Sequence, residues 1–264
     1  MSMPGLSAVG KTALQGDPGR FEAAMFAPED RREHLFALIA LNVELSRIPE
    51  TVTEPMLGEI RLQWWDDAIA ALFEDGPVAG HEVIAALKQP VDKGLLVKAR
   101  LVDLIDARRI TLSDEPLTDA AVLHRLITQT GGALAALQIG ALGGDKAAQD
   151  VAADAGWAEG AGRLTAALPA MIPNADQENA EAPAKLSTLI QSLASDGLAK
   201  LDDARNKRRV IPRNCRAPLL SIRPAERRLR SALQKDVDIL KDDSAVSPFR
   251  ERMSLFRRAI TGRF

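Results

Sequence analysis

Apolar residues recur at a helical period along most of the chain. In residues 31–45 the apolar positions Leu35, Leu38, Ile39 and Leu41 share one broad face. Proline and glycine separate such segments, as Gly143 and Gly144 do at one helix end. The pattern predicts helices over residues 31–45, 55–72, 81–87, 93–109, 119–142, 146–168, 184–209, 218–220, 224–241 and 248–260.

We find no convincing strand pair and no repeat of fixed period, so the sequence predicts an all-α fold. We expect a single domain over residues 1–264, with a flexible N-terminal segment at 1–19 and a polar surface loop at 174–183. The helical period and the family resemblance given below predict seven buried core residues, namely Leu35, Leu38, Ile39, Leu62, Trp65, Leu134 and Leu137.

Composition narrows the class of protein. The chain is 46% apolar and 27% charged, typical of a globular protein, and only 4% aromatic. One cysteine, Cys215, excludes an internal disulfide and an all-thiolate zinc site, and three scattered histidines argue against a histidine metal site. No apolar stretch approaches the ~20 residues that span a bilayer, and no signal-peptide core is visible. We expect a cytoplasmic protein, with peripheral attachment to the inner membrane as an option.

Charge is distributed unevenly along the chain. Residues 200–264 contain 18 lysines and arginines against eight aspartates and glutamates, whereas the rest of the chain is acidic. This polarity favours docking to an anionic membrane surface or to an acidic protein partner. The alternative is that the two parts neutralise each other within the fold. No nucleic-acid motif accompanies the basic segment, so nucleic acid is not expected as a partner. The candidate docking residues are Lys207, Arg208, Arg209, Arg227 and Arg228.

Two short motifs carry little weight. Residues 5–12 fit the phosphate-binding pattern GxxxxGK[ST], but too few residues precede them to form the strand that this loop requires. Asp150 and Asp154 share a helical face, as do Asp103 and Asp106, in a spacing that could hold Mg²⁺. Such pairs are common on solvated helix faces, and a diphosphate–metal site needs two of them facing each other across a cavity.

A longer resemblance is more specific. The runs 36–50, 53–66 and 76–87, which include the sequence Gly-Glu-Ile-Arg-Leu-Gln-Trp-Trp at 58–65, resemble the N-terminal half of the squalene/phytoene synthase family. Residues 128–132 resemble its small-residue helix, and residues 155–169 its helix with the second aspartate motif. The resemblance implies helices around a deep apolar cavity, with two aspartate clusters at its mouth that hold Mg²⁺ and ionise a prenyl diphosphate.

The chain departs from the family at both clusters. Ser46, Arg47 and Glu50 stand where the first aspartates are expected, and Ala166 and Ala167 stand near the second. We therefore expect no metal and no other cofactor, unless the protein is active, in which case Mg²⁺ is expected. Residues 41–45 (Leu-Asn-Val-Glu-Leu) resemble a non-catalytic branch of the family, the homologues related to a mitochondrial complex I assembly factor.

The resemblance and its departures together favour a catalytically inactive protein that binds an isoprenoid or other lipid, or a protein partner, and assists assembly of a membrane respiratory complex. The alternative is an active prenyltransferase that condenses prenyl diphosphates head-to-head, with Glu44, Glu50, Asp150 and Asp154 as its ligands, or Asp103 and Asp106. The resemblance places Glu44, Arg47 and Arg61 at the cavity mouth as an ion-pair network. The full set of predicted cavity residues is Glu44, Arg47, Arg61, Trp65, Thr130 and Gly131.

Overall fold

Most of the helices begin at a capping side chain or at a proline in the first turn. The computed structural model of the chain describes residues 5–74, 80–113, 115–171, 182–234, 248–262 and 264. In chain order its α-helices are α1 (Ala8–Gly16), α2 (Pro18–Ala24), α3 (Glu29–Thr51), α4 (Pro55–Phe73), α5 (Glu82–Asp92), α6 (Lys98–Leu112), α7 (Ala120–Ile127), α8 (Ala133–Ala141), α9 (Lys146–Met171), α10 (Ala182–Asn206), α11 (Arg223–Ala232) and α12 (Pro248–Thr261). Side chains cap several of them, including Ser7, Asp17, His81 and Asp119.

The described residues contain no β-strand, and the predicted all-α fold is confirmed. All seven predicted core residues are buried. One difference concerns the N-terminal segment that we expected to be flexible, because its residues 8–16 form α1. Val9 and Ala13 of α1 are buried and the helix packs on α3, so its apolar positions order it. The predicted loop at 174–183 lies outside the described residues, except for 182–183, which begin α10.

Helices α3, α8 and α9 form the centre of the molecule. All nine residues of α8 are buried, and α3 contributes ten buried apolar residues to the hydrophobic core. Around them, α3 also contacts α1, α5 and α6, while α9 contacts α10 and α11. No helix in the described part of the chain is both long and apolar enough to cross a membrane.

A π-helical turn (Thr128–Gly132) joins α7 to α8 and packs closely on α9. A Cβ atom built on Gly131 would lie 2.4 Å from the carbonyl oxygen of Gly156, so only glycine fits at this crossing. Turns of this type are frequent at functional sites because they redirect nearby side chains. Here the turn forms one wall of a cavity.

Candidate ligand cavity

The described residues enclose a cavity of about 480 Å³ between the C-terminal part of α3, α6, the π-helical turn and α9. This volume falls within the roughly 300–1,000 Å³ of typical small-molecule sites. Its apolar wall is formed by Val43, Pro49, Leu126, Ile127, Leu134, Leu164 and Ala167. Its polar residues come from five regions of the chain and are Asp17, Arg20, Asn42, Ser46, Glu50, Arg108, Thr111, Thr130 and Arg163. The cavity can therefore take a ligand with an apolar body and a polar end.

A cluster of ion pairs stands at one side of the cavity. Arg20 donates to Asp17 at 2.9 Å and to Glu159 at 3.0 Å, and all three side chains are buried. Arg163 contacts the same two carboxylates, with Nη2 3.1 Å from Asp17 Oδ1 and 3.0 Å from Glu159 Oε1. Burial alone would raise the pKa of Asp17, but the charges of Arg20 and Arg163 outweigh it and lower that pKa below its usual value. Asp17 is thus ionised, and both carboxylates are already paired with arginines.

Arg108 on α6 also lines the cavity, but its hydrogen-bond partner is a neutral side chain. Its Nη2 donates to Asn42 Oδ1 at 3.0 Å, while its Nε is buried and has no hydrogen-bond partner among the described residues. Burial and the charge of Arg20 lower the pKa of Arg108 to about 10, against the opposing effect of Glu50. This guanidinium remains charged at neutral pH without a carboxylate in ion-pair contact within the described structure.

The structure places the predicted cavity residues in several environments. Thr130 and Gly131 line the cavity. Glu44 and Arg47 lie outside its lining and form a pair at 3.3 Å, with 31% and 46% of their side chains exposed. Arg61 donates to the hydroxyl of Thr51 at 2.9 Å rather than to an acid, because its exposed position on α4 faces the end of α3.

Trp65, the remaining predicted cavity residue, is packed in the core, with its ring centroid 4.9 Å from that of His81. The predicted three-residue network at the cavity mouth is thus reduced in this structure to the pair of Glu44 and Arg47.

The carboxylates named as alternative metal ligands do not converge. Glu50 is exposed and lines the cavity. Asp150 accepts from Lys146 and Arg100, and Asp154 accepts from Lys200 at 2.7 Å. Asp106 pairs with Arg109 on its own helix, while burial raises the pKa of Asp103. In the part of the chain that the structure describes, no three histidine, cysteine, aspartate or glutamate side chains come together as a metal site.

The cluster around Arg20 was not identified from the sequence. Its members lie up to 146 positions apart, and only tertiary packing brings Asp17 to Arg163. Two local signals were present, because Asp17 and Arg20 are three residues apart and Glu159 and Arg163 are four apart. Such spacings are common on exposed helices, so they do not by themselves indicate a buried cluster.

The basic C-terminal residues named here fall into three groups. Arg205, Arg223 and Arg230 surround the buried carboxylate of Glu226, at distances of 2.7–3.1 Å, and so are paired within the fold. Lys207, Arg208 and Arg209 are exposed in the turn after α10. Arg227 and Arg228 are half-buried on α11 and have interactions of their own. Glu226 belongs to the basic segment itself, whereas the pair of Lys200 and Asp154 joins that segment to the acidic part of the chain. Docking through the exposed cations stays a prediction.

An apolar groove adjoins the exposed basic turn. Phe26, Phe256 and Ile260 line it together with Arg213 and Arg216, in a volume of about 260 Å³. Phe256 and Ile260 are 52% and 72% exposed. Arg216 ties the two features together because it donates to the carbonyl oxygens of Gly262 at 3.1 Å and of Arg208 at 2.8 Å. We call this combination the C-terminal surface: Phe26, Lys207, Arg208, Arg209, Arg213, Phe256 and Ile260.

Comparison with known proteins identifies the class. The sequence model of the family described as Squalene/phytoene synthase matches residues 15–163, more than half of the chain, and the chain belongs to that family. Its fold is similar to that of a dehydrosqualene synthase solved in complex with ligand, with a TM-score of 0.73 over 94% of this chain and 93% of the other. The two sequences are 13% identical, so this likeness concerns the fold.

The chain is also similar to curated proteins named NADH dehydrogenase (ubiquinone) complex I, assembly factor 6. The protein from Bos taurus is 26% identical over 235 residues, which cover 82% of this chain and 70% of the relative. The one from Homo sapiens is 30% identical over 139 residues, which cover 52% of this chain and 41% of the relative. The family and the branch predicted from the sequence are both confirmed.

Proposed function

We propose that this protein is a squalene/phytoene synthase-like protein without prenyltransferase activity, which binds a lipid and assists assembly of a membrane respiratory complex. The observation that carries the proposal is the cluster of Asp17, Arg20, Glu159 and Arg163 beside the cavity. Prenyl diphosphate ionisation depends on Mg²⁺ held by free carboxylates, because the metal ion offsets the negative charge that develops on the leaving diphosphate. Here the two buried carboxylates, Asp17 and Glu159, are already in ion pairs with arginines.

The remaining residues of the cavity do not fit a magnesium site either. Glu50 is the one further carboxylate in the described lining, and Arg108 stands close enough to interact with it electrostatically. A divalent cation placed there would meet the positive charges of Arg20 and Arg108, an arrangement that costs energy in a poorly solvated site. We therefore derive no reaction step through a metal.

The assembly role is supported by the curated relatives, whose names describe assembly factors of complex I. In the organism that encodes the protein, loss of the chain should lower the amount of assembled complex I on native gels, and the wild-type chain should restore it. Normal assembly in its absence would contradict this part of the proposal. An Arg20→Met chain, in which the ion pairs beside the cavity are broken, should restore less complex I than the wild-type chain does.

The test of inactivity is direct. Incubation of the purified chain with radiolabelled farnesyl or geranylgeranyl diphosphate and Mg²⁺ should give no squalene or phytoene above a blank without protein. A synthase that retains both aspartate clusters serves as the positive control in the same assay. Product formation by this chain would overturn the proposal and favour the alternative, an active head-to-head prenyltransferase.

We further propose that the C-terminal surface docks on an anionic membrane and places the protein peripherally on the inner membrane. Exposed apolar side chains next to clustered cations suit a bilayer surface, since each lysine or arginine contributes about 1 kcal/mol there before screening. Vesicle sedimentation should show salt-sensitive binding to anionic vesicles and not to neutral ones. Reversal of Lys207, Arg208 and Arg209 to glutamate should abolish it.

A matched control changes three exposed lysines on other elements, Lys88, Lys98 and Lys146, to glutamate. This variant has the same net charge as the first and should keep most of the vesicle binding. Equal loss in both variants, or a wild-type chain that stays in the supernatant at every salt concentration, would refute membrane docking. An acidic protein partner is then the occupant to test.

A further inference from the structure

The Arg108 guanidinium is the unusual feature of the cavity. Arg20 and Arg163, the other two arginines of its described lining, each contact two carboxylates. Arg108 instead has a neutral partner, Asn42, and a buried Nε without a partner among the described residues. Buried polar groups are nearly always hydrogen-bonded, and an unsatisfied donor on a charged group is costly. The cavity beside it offers the space that an acceptor would occupy.

The charge balance defines what the acceptor carries. Asp17 and Glu159 neutralise Arg20 and Arg163, so the cluster contributes no net charge. Arg108 adds one positive charge, and Glu50, an exposed residue of the lining, opposes it from a distance without an ion pair to it in the described structure. The buried guanidinium therefore suits a ligand whose polar end carries a single negative charge. A diphosphate, with several negative charges, would be left largely uncompensated.

The walls define the rest of the ligand. Val43, Leu126, Leu134 and Leu164 present apolar surface along the cavity, and the small residues Gly131 and Ala167 leave space between them. A single apolar chain gains free energy by burial against such side chains. The site is thus polar at Arg108 and apolar along the walls of the cavity.

We propose that this cavity binds a single-chain carboxylic acid without a metal ion, with its carboxylate on Arg108 and its apolar chain against α3, the π-helical turn and α9. The carboxylate accepts from Nε and from a second N–H of the same guanidinium, which is the strong paired geometry of arginine. A straight-chain fatty acid and a branched isoprenoid acid share this chemistry. The inference rests on the proposed lipid binding and specifies its ligand class.

Calorimetric titration of the purified full chain, with a chelator present, tests this inference. Palmitate and farnesoic acid, each below its aggregation limit, are compared with hexadecanol and farnesol, the neutral alcohols of the same chain length. We expect at least one acid to bind and its alcohol to bind about tenfold or more weakly, because the charged hydrogen bonds are lost. The more tightly bound acid distinguishes the straight from the branched chain.

Substitution of the anchor gives the second comparison. Arg108→Gln should weaken acid binding about 10- to 100-fold and leave alcohol binding unchanged. Arg125→Gln, at an exposed arginine on α7 outside the cavity, should change neither. The melting temperature of Arg108→Gln should stay at or above that of the wild type, since the substitution removes a buried charge without an ion-pair partner. This readout separates a ligand anchor from a structural arginine.

Four results would overturn the inference: no binding of either acid, equal binding of acid and alcohol, wild-type acid affinity in Arg108→Gln, or acid binding that appears only when Mg²⁺ replaces the chelator in a repeat titration. The turnover assay is independent of these results, because it contains diphosphate and Mg²⁺ and the titration contains neither. Failure of the carboxylate inference and failure of the proposed inactivity are therefore distinguishable.

Discussion

Glu226 provides the sharpest test of how the C-terminal part of the fold is held. Its side chain is 2% exposed, and Arg205 on α10 donates one hydrogen bond to each carboxylate oxygen, at 2.9 and 2.7 Å. Arg223 and Arg230 of α11 complete the set at 3.0 Å. Burial alone would raise the pKa of Glu226, but hydrogen bonds and charge from Arg205, followed by Arg230 and Arg223, lower it from 4.5 to about 2.

The lowered pKa of Glu226 sets the expected contribution of this residue to the free energy of unfolding. Each pKa unit corresponds to about 1.4 kcal/mol, so ionised Glu226 stabilises the fold by about 3 kcal/mol at neutral pH. A pKa that is lowered on folding gives stability that is complete above the unfolded value of 4.5 and is lost as the pH falls towards 2. Glu226→Gln should therefore cost about 2–3 kcal/mol at pH 7, and its deficit relative to the wild type should shrink below pH 4.5.

Urea denaturation followed by circular dichroism, at neutral and acidic pH, measures this deficit. Glu44→Gln is the matched control, because Glu44 also has an arginine three residues away but is 31% exposed, and its change should cost less than about 1 kcal/mol. A deficit for Glu226→Gln no larger than that of the control would refute the reasoning. So would a deficit that stays constant through the acid range.

Two further predictions concern the cavity wall. Arg20→Met should lower the free energy of unfolding by about 3 kcal/mol, because it leaves two buried carboxylates with one arginine, whereas Arg47→Met at the exposed pair should cost under about 1 kcal/mol. Similar denaturation midpoints for the two variants would contradict this. Gly131→Ala should cost about 1–3 kcal/mol through the clash with Gly156, and Gly80→Ala, where a Cβ meets nothing within 4 Å, should not. Thermal melting of both glycine variants checks this, and an unchanged Gly131→Ala midpoint would show that the crossing relaxes.

The helical period of apolar residues, and the prolines and glycines that end each segment, were sufficient to predict the architecture. Both signals depend on residues close together in sequence. Leu35, Leu38 and Ile39 fall on one face whatever the rest of the chain does, and that face is buried. The motif at 58–65 likewise predicted the family, since it lies in one continuous helix. Thr130 and Gly131 were placed at the cavity for the same reason.

Only the tertiary structure decided which charges meet. Glu44, Arg47 and Arg61 stand near one another in sequence, yet Arg61 contacts a hydroxyl and the other two form an exposed pair. Asp17 and Glu159 are far apart in sequence, yet share Arg20 because packing brings the start of α2 beside the middle of α9. An ion pair depends on distances between helices and on the loss of water around them, and neither is encoded by local spacing.

The same reason separates what the sequence determined from what the tertiary structure decided. The sequence alone determined an all-α member of the squalene/phytoene synthase family, the absence of the expected aspartates at 46–50, and a basic C-terminal segment. The tertiary structure decided that three arginines of that segment converge on Glu226, and that Arg108 stands in a cavity without a carboxylate in ion-pair contact among the described residues. Hydrophobic periodicity is a local property of a chain, whereas electrostatic pairing is a property of the packed molecule.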